Sequence, residues 1–101
     1  MAAHKTYPHH LERTLTTITV YTKPDCPQCT MTKSWLDKNN VTYKTVDLSE
    51  DPQALAAVKG LGYMGAPVVI VSRGDTRDES HWYGFRVDLL KEFCVSEGAA
   101  A

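Results

Sequence analysis

The sequence predicts an α/β fold in which a four-stranded mixed sheet is flanked by three helices, in the order β-α-β-α-β-β-α. The first strand, helix and strand read as one β-α-β unit, whose two strands should pair in parallel. The last two strands are separated by a short polar segment that contains Gly74, which favours an antiparallel hairpin. A chain of 101 residues fits one domain of this kind.

The first half of the chain predicts the β-α-β unit. Residues 15–22 are rich in β-branched residues and should form the first strand. Residues 26–39 should form the first helix, which ends at two asparagines and carries an apolar stripe of Met31, Trp35 and Leu36. Residues 41–46 alternate between apolar and polar side chains and should form the second strand.

The next helix and strand have clear boundaries. Asp51 is a suitable N-cap, and Pro52 suits the first helical position after it. Gly60 and Gly62 should close this second helix. Residues 67–71 are an apolar run of strand length, so they should form the third strand.

The last part of the chain predicts the hairpin and the final helix. Residues 72–80 are polar and should form the loop, and residues 81–83 should form a short fourth strand. Residues 86–95 should form the third helix, which packs through Val87, Leu90, Phe93 and Cys94.

The ends of the chain lack the patterns of a packed fold. Residues 1–14 contain three histidines and no hydrophobic period, so we expect a flexible extension there, one folded domain over residues 15–96, and a flexible tail over residues 97–101. The extension also lacks the positively charged region followed by an apolar region that a secretory signal has. The longest aliphatic run of the chain is far too short to cross a bilayer.

Charge and cysteine content narrow the class of protein. The formal net charge is −1, from 11 basic and 12 acidic residues, which argues against nucleic acid or an anionic membrane as the main partner. Three cysteines are an odd number, so a purely structural set of disulfides is not expected. We expect a monomer, and if two of the cysteines alternate between dithiol and disulfide, the reducing cytoplasm is the compartment that suits them.

Cys26 and Cys29 follow the first strand directly and open the first helix. A strand, a Cys-x-x-Cys and a helix together indicate a thiol–disulfide redox site. Cys26 should lie at the helix cap, where the helix dipole favours a thiolate, so it is the expected nucleophile. Cys29 lies a turn inside and is the expected resolving thiol of a Cys26–Cys29 disulfide. Lys23 adds positive potential, and Pro27 stiffens the ring that the disulfide closes.

The same pair could instead be half of a zinc site. Zinc normally takes four ligands, whereas the third thiol, Cys94, is far along the chain and three of the four histidines lie within residues 1–14. We therefore expect no metal. Cys94 should pack as a small apolar residue on the third helix.

Pro67 opens the third strand. It is either an ordinary edge proline or the cis-proline that faces the Cys-x-x-Cys in thioredoxin-like folds, and we predict the cis form. A cis bond at Pro67 would turn the backbone of Ala66 outward, where it could pair with the extended chain of a substrate.

An aromatic segment precedes the third helix. Phe85 should belong to the core, while Trp82 could either do so or line a docking surface with its indole. Arg86 could anchor a carboxylate of a partner or be solvated. His81 should be a surface residue of the fourth strand.

Taken together, these segments resemble the NrdH family of glutaredoxin-like redoxins over residues 15–95. The matching segments are Val20-Tyr21-Thr22-Lys23, Cys26-Pro27-Gln28-Cys29, Leu61-Gly62-Tyr63, Ala66-Pro67-Val68-Val69 and Trp82 through Asp88. The resemblance implies the thioredoxin/glutaredoxin fold and a partner-binding surface that comprises Lys23, Pro27, Gln28, Ala66, Pro67, Trp82, Phe85 and Arg86.

The same resemblance implies the partners. Members of this family are reduced by the flavoprotein thioredoxin reductase, which uses NADPH and FAD, and they bind no cofactor themselves. They pass electrons to the large subunit of class Ib ribonucleotide reductase. Relatives that use glutathione carry a Gly-Gly pair near the fourth strand, whereas Gly84 is followed here by Phe85 and Arg86.

The chain also departs from the family pattern. Tyr83 stands where serine is usual, Val87 where proline is usual, and Gly65 where glutamine is common. Two alternative functions therefore stay open, namely a glutaredoxin coupled to glutathione or mycothiol, and a metal or iron–sulfur binding protein that uses the same thiols.

Overall fold

The computed structural model describes residues 16–74 and 79–95. The four strands are β1 (Thr17–Thr22), β2 (Lys44–Asp47), β3 (Val68–Ser72) and β4 (Glu79–Tyr83). The helices are α1 (Pro27–Lys38), α2 (Pro52–Gly60) and α3 (Val87–Leu90), and α3 continues as a π-helical turn (Lys91–Val95). This order confirms the predicted fold class. The predicted flexible ends, residues 1–14 and 97–101, lie outside the described residues.

The sheet has the strand order β2-β1-β3-β4. β1 pairs with β2 in parallel, and β3 pairs antiparallel with both β1 and β4, as predicted for the β-α-β unit and the hairpin. Since β1 and β3 are antiparallel, the last residues of β1 lie beside the first residues of β3, and Tyr21 is paired with Val68. The segment before β3 therefore lies next to the segment after β1.

Helices cover both faces of the sheet. One hydrophobic cluster contains Leu36 of α1, Leu90 of α3 and the strand residues Ile18, Val20, Val69, Val71 and Trp82. The other contains Val58 of α2 together with Cys29, Leu48, Ala66 and Val68. Because successive side chains of a strand point to opposite faces, α1 and α3 pack on one face and α2 packs on the other.

The predicted start and end of α2 are confirmed. The side chain of Asp51 accepts a hydrogen bond from the Ala54 amide at 3.0 Å, and Pro52 occupies the first turn. An N-cap of this kind satisfies one of the amides that have no partner within the helix. The helix ends before Gly62, whose φ of +97° lies in the left-handed region that favours glycine.

The start of every strand differs from the prediction, at β3 by a single residue, because β3 begins at Val68 rather than at residue 67. β2 begins at Lys44 rather than at residue 41, because the Val41 amide donates to the Leu36 carbonyl at 3.0 Å and so belongs to the turn that ends α1. β4 begins at Glu79, which pairs with Ser72. Part of the predicted loop over residues 72–80 is therefore strand. β1 begins at Thr17.

The buried face of α1 also differs from the prediction. Met31 is 47% exposed, while Thr32 is fully buried between Cys29 and Leu36. Thr32 is tolerated there because its hydroxyl donates to the Gln28 carbonyl at 2.8 Å. None of the helices in residues 16–74 and 79–95 is long and apolar enough to span a membrane.

Candidate active site

Cys26 is the N-cap of α1, and Pro27 occupies the first turn after it. The Sγ atoms of Cys26 and Cys29 are bonded in a disulfide, and their Cα atoms are 5.2 Å apart, within the range that disulfides adopt. Cys29 is 1% exposed, whereas Cys26 is partly exposed. This confirms the predicted difference between a solvent-facing and a buried sulfur.

The Cys26 sulfur also receives a hydrogen bond from the helix. The Cys29 amide donates to Cys26 Sγ over 3.2 Å. This amide belongs to the first turn, where amides have no partner within the helix and carry the positive end of the helix dipole. Once the disulfide is opened, both effects favour the thiolate of Cys26 over its thiol, because both stabilise negative charge on the sulfur.

Ala66 and Pro67 lie against the same sulfur. The Ala66–Pro67 peptide bond is cis, as predicted. The Ala66 carbonyl oxygen lies 3.6 Å from Cys26 Sγ, a proximity that follows from the pairing of β1 with β3. The side chain of Pro67 is fully buried. The Pro67 side chain therefore offers almost no surface for a partner to contact, whereas partner binding by the Ala66 backbone stays a prediction.

Gln28 connects the Cys-x-x-Cys to the turn after β4. Its Oε1 accepts a hydrogen bond from the Phe85 amide at 3.0 Å, and the neighbouring Gly84 amide donates to the Pro67 carbonyl at 2.8 Å. Gly84 has a φ of +91°, and a Cβ atom there would lie 3.3 Å from Gln28 Oε1. The three segments that surround Cys26 are thus joined by two hydrogen bonds, which we call the Gln28 brace.

The side-chain oxygen of Gln28 is used within the chain, where it holds the turn after β4 at the site. Gln28 is itself exposed, so its predicted contact with a partner stays a prediction. One sequence signal could have indicated this brace, since Gly84 directly follows a strand, at a place where a glycine often marks a tight turn of the backbone. The partner itself, Gln28, is 57 residues away from Phe85 and could not be identified from local pattern.

Trp82 does not line a docking surface, so that alternative is wrong. It is 5% exposed, pairs with Val69 across the sheet, and stacks on Phe93 with the ring centroids 5.8 Å apart. Its indole Nε1 is buried and has no hydrogen-bond partner among the described residues. Phe85 is half-buried and packs against the same cluster, as expected for a core residue.

Lys23 and Arg86 are both exposed. The Arg86 guanidinium binds Asp88 in a bidentate ion pair, with Nε–Oδ1 and Nη2–Oδ2 distances of 3.1 and 2.8 Å. The hydrogen bond from Arg86 lowers the pKa of the Asp88 carboxyl. Any carboxylate of a partner would have to compete with this pair, so partner binding by Arg86, like that by Lys23, stays a prediction.

Two tyrosines form a feature that the sequence analysis missed. Tyr63 and Tyr83 stack with ring centroids 6.4 Å apart and an interplanar angle of 21°. The Tyr63 hydroxyl lies 2.8 Å from Nδ1 of His81, which is on the surface as predicted. The two rings line an open groove of about 440 Å³ together with Gly62, Met64 and Gly65. We call this the tyrosine groove.

Cys94 lies apart from the disulfide. It is partly buried against the cluster of Leu36, Leu90 and Trp82, which confirms the predicted packing. Burial raises the pKa of its thiol to about 11, although the charge of Arg73 acts in the opposite direction. Within residues 16–74 and 79–95, no three side chains of the metal-binding types are grouped around a common point.

Comparison with known proteins agrees with this geometry. The family model for glutaredoxin matches residues 18–75. The chain is 33% identical over 73 residues to the glutaredoxin-like protein NrdH of Lactococcus lactis subsp. cremoris, which covers 72% of this chain and 93% of the relative. It is 32% identical over 84 residues to NrdH of Escherichia coli strain K12, covering 83% and 96% of the two chains.

A solved structure is similar over the same region. The glutaredoxin-like NrdH-redoxin from Escherichia coli, studied for its thioredoxin-like activity profile, superposes with a TM-score of 0.67 at 32% identity. The match covers 75% of this chain and 92% of that one.

The Gln28 brace can be tested by replacing Gln28 with alanine. We expect amide hydrogen exchange at Phe85 to accelerate roughly fivefold, because a lost hydrogen bond costs about 1 kcal/mol. NMR of the oxidised protein measures this directly. Gln28→Glu keeps an acceptor and should retain most of the protection. Gln53→Ala, at an exposed position of α2, is the matched control; equal exchange at Phe85 in the Gln28→Ala and Gln53→Ala proteins would refute the brace.

The raised pKa of Cys94 predicts that its thiol is alkylated slowly. In a Cys26→Ser/Cys29→Ser protein, where Cys94 is the one remaining cysteine, alkylation by iodoacetamide at pH 8 should be about a hundredfold slower than for a free cysteine, because the thiolate fraction falls tenfold per pKa unit. The rate should rise with pH as the thiolate forms. The same protein in denaturant supplies the reference, and equal rates in the folded and denatured states would contradict the assignment.

Proposed function

Since this chain belongs to the glutaredoxin family, and within it to the NrdH-type redoxins, we propose that it carries electrons from thioredoxin reductase to class Ib ribonucleotide reductase. The chain is a thiol–disulfide oxidoreductase with a Cys26–Cys29 pair. The observation that carries the proposal is the asymmetry of this pair, in which one sulfur is accessible beside Ala66 and the other is buried.

The forward reaction starts from the reduced protein. The Cys26 thiolate attacks one sulfur of the partner's disulfide, and the partner's S–S bond breaks as a Cys26–partner disulfide forms. The second partner sulfur leaves as a thiolate and takes a proton from water. The Ala66 backbone, next to Cys26 Sγ, is where the partner segment would lie, and the exposed ring of Pro27 and side chain of Lys23 flank its approach.

The second step releases the partner. Cys29 loses its proton and attacks Cys26 Sγ, so that the intermolecular disulfide breaks and the Cys26–Cys29 disulfide forms. The departing partner sulfur takes up a proton. In sum, two electrons and two protons pass from the dithiol of this chain to the partner. The 5.2 Å separation of the two Cα atoms, which lies within the range of disulfide-bonded cysteines, supports this closing step.

Re-reduction of the Cys26–Cys29 disulfide runs through the same two exchange steps in reverse. Electrons from NADPH pass through the FAD and the dithiol of thioredoxin reductase to the Cys26–Cys29 disulfide, and this chain itself binds no cofactor. We place the cycle in the cytoplasm, because a dithiol that must be reduced repeatedly needs a reducing compartment.

The turn after β4 supports thioredoxin reductase over glutathione as the source of electrons. The Phe85 amide is already bonded to Gln28, and the half-buried Phe85 side chain occupies the position where glutathione-using relatives carry a second glycine. A glutathione backbone would therefore find this amide occupied. The thioredoxin-like activity profile of the Escherichia coli redoxin points the same way.

A coupled assay tests the electron source. With NADPH, bacterial thioredoxin reductase and insulin as the disulfide substrate, the protein should sustain NADPH oxidation, whereas glutathione with glutathione reductase should not. Cys26→Ser should lower turnover by about a thousandfold or more, because it removes the nucleophile. Turnover with glutathione reductase alone would overturn the proposal and favour a glutathione-coupled glutaredoxin, and iron or zinc in the freshly purified protein would favour the metal-binding alternative.

The roles of the two cysteines can be separated by trapping. Cys29→Ser should accumulate a stable mixed disulfide with the class Ib ribonucleotide reductase large subunit, because no resolving thiol remains to release it. Non-reducing gel electrophoresis followed by mass spectrometry identifies the linked cysteine. Cys26→Ser is the matched control and should trap nothing, since Cys29 is buried. Trapping through Cys29 in that control would reverse the assignment.

A further inference from the structure

One wall of the tyrosine groove belongs to the segment that contacts the reactive sulfur. Gly65, one of its lining residues, directly precedes Ala66, whose carbonyl oxygen lies 3.6 Å from Cys26 Sγ. A protein segment that is joined to Cys26 through its own cysteine has its neighbouring Cα atoms about 3.8 Å from that cysteine's Cα. The side chains next to the substrate cysteine are therefore within reach of the groove.

The groove is shaped by two of the departures from the NrdH pattern. A Cβ atom built on Gly65 would lie 3.5 Å from Cε1 and 3.6 Å from the hydroxyl oxygen of Tyr83. The two positions are thus in contact, and a longer side chain at position 65 would have to lie over the Tyr83 ring. The glycine in place of glutamine and the tyrosine in place of serine act as one change, which replaces polar side chains by an aromatic surface.

This aromatic surface is held in place before any partner binds. Tyr63 stacks on Tyr83 on one side and is fixed by its hydroxyl contact with His81 on the other. Tyr83 is nevertheless 49% exposed, and Met64 beside it is 86% exposed. Rings that are already ordered lose little conformational freedom on binding, and an exposed methionine can adapt to the shape of a ligand.

The chemistry of the residues that line the tyrosine groove indicates which kind of side chain it binds. None of its five residues carries a charge, and the polar tip of Tyr63 is already engaged by His81. We propose that the tyrosine groove is a specificity subsite that binds a large apolar side chain, preferably aromatic, next to the reacting cysteine of the substrate protein. The inference rests on the proposed function only in requiring that a protein disulfide reacts at Cys26.

The test compares two peptide disulfides. Each is the symmetric disulfide of a short peptide with the same lysine tail, and the cysteine is flanked on both sides either by phenylalanine or by serine. Stoichiometric prereduced protein is mixed with each peptide, and released peptide thiol is followed by chromatography. No reductase is present, so a failure of the thioredoxin reductase assignment leaves this measurement intact.

The expected preference of the unaltered protein for the phenylalanine peptide is roughly twofold to tenfold in rate, the size of one aromatic contact. Tyr83→Ser should bring the ratio of the two rates close to one, and Tyr83→Phe should keep the preference because it keeps the ring. Using the ratio within each protein cancels any change in the reactivity of Cys26.

Two further variants separate the groove from a general change in the fold. Gly65→Gln should fill the groove and lower the ratio, while Met31→Ala removes an exposed apolar side chain that does not line it and should leave the ratio unchanged. Circular dichroism confirms that each variant is folded. A ratio near one in the unaltered protein, or a preference that survives Tyr83→Ser, would overturn the proposal.

Discussion

The antiparallel pairing of β1 with β3 is the constraint on which the site depends. It places the end of β1, which leads into Cys26, beside the start of β3, which follows Pro67. Neither segment could position a substrate disulfide alone, because the reactive sulfur comes from one and the neighbouring carbonyl from the other. The hydrophobic residues of both central strands are packed on the two faces of the sheet, so a one-residue shift in register would move each of them to the face where its packing partners are absent and would also displace the two segments from each other.

The Gln28 brace adds a third segment to this pair. The sheet fixes β3 relative to β1, but the turn after β4 is held at the site by the bonds of Gly84 to Pro67 and of Phe85 to Gln28. Gly84 is suited to this position by its left-handed backbone and by the close approach of the glutamine side chain. The late aromatic segment therefore supports the site from within the fold, whereas the surface that faces outward is formed by Tyr83 and Tyr63.

The sequence predicted those features whose cause is local. The caps at Cys26 and Asp51, the prolines that follow them and the order of helices and strands along the chain each depend on residues that are near one another in the sequence. Whether Trp82 is buried or exposed could not be predicted, because the face of the sheet on which its side chain lies depends on the pairing with Val69. The contact of Gly65 with Tyr83 could likewise not be predicted, since it joins a loop residue to a strand residue that is 18 positions away in the chain.

The two outer strands of the sheet have a consequence for self-association. β2 and β4 each have one side without a neighbouring strand in the described sheet, and such edges can extend into a second molecule. Both edges carry exposed polar residues, with Lys44 and Thr45 on β2 and Glu79 and His81 on β4. Hydrated and charged side chains at these positions raise the free-energy cost of adding a strand from another copy at either edge.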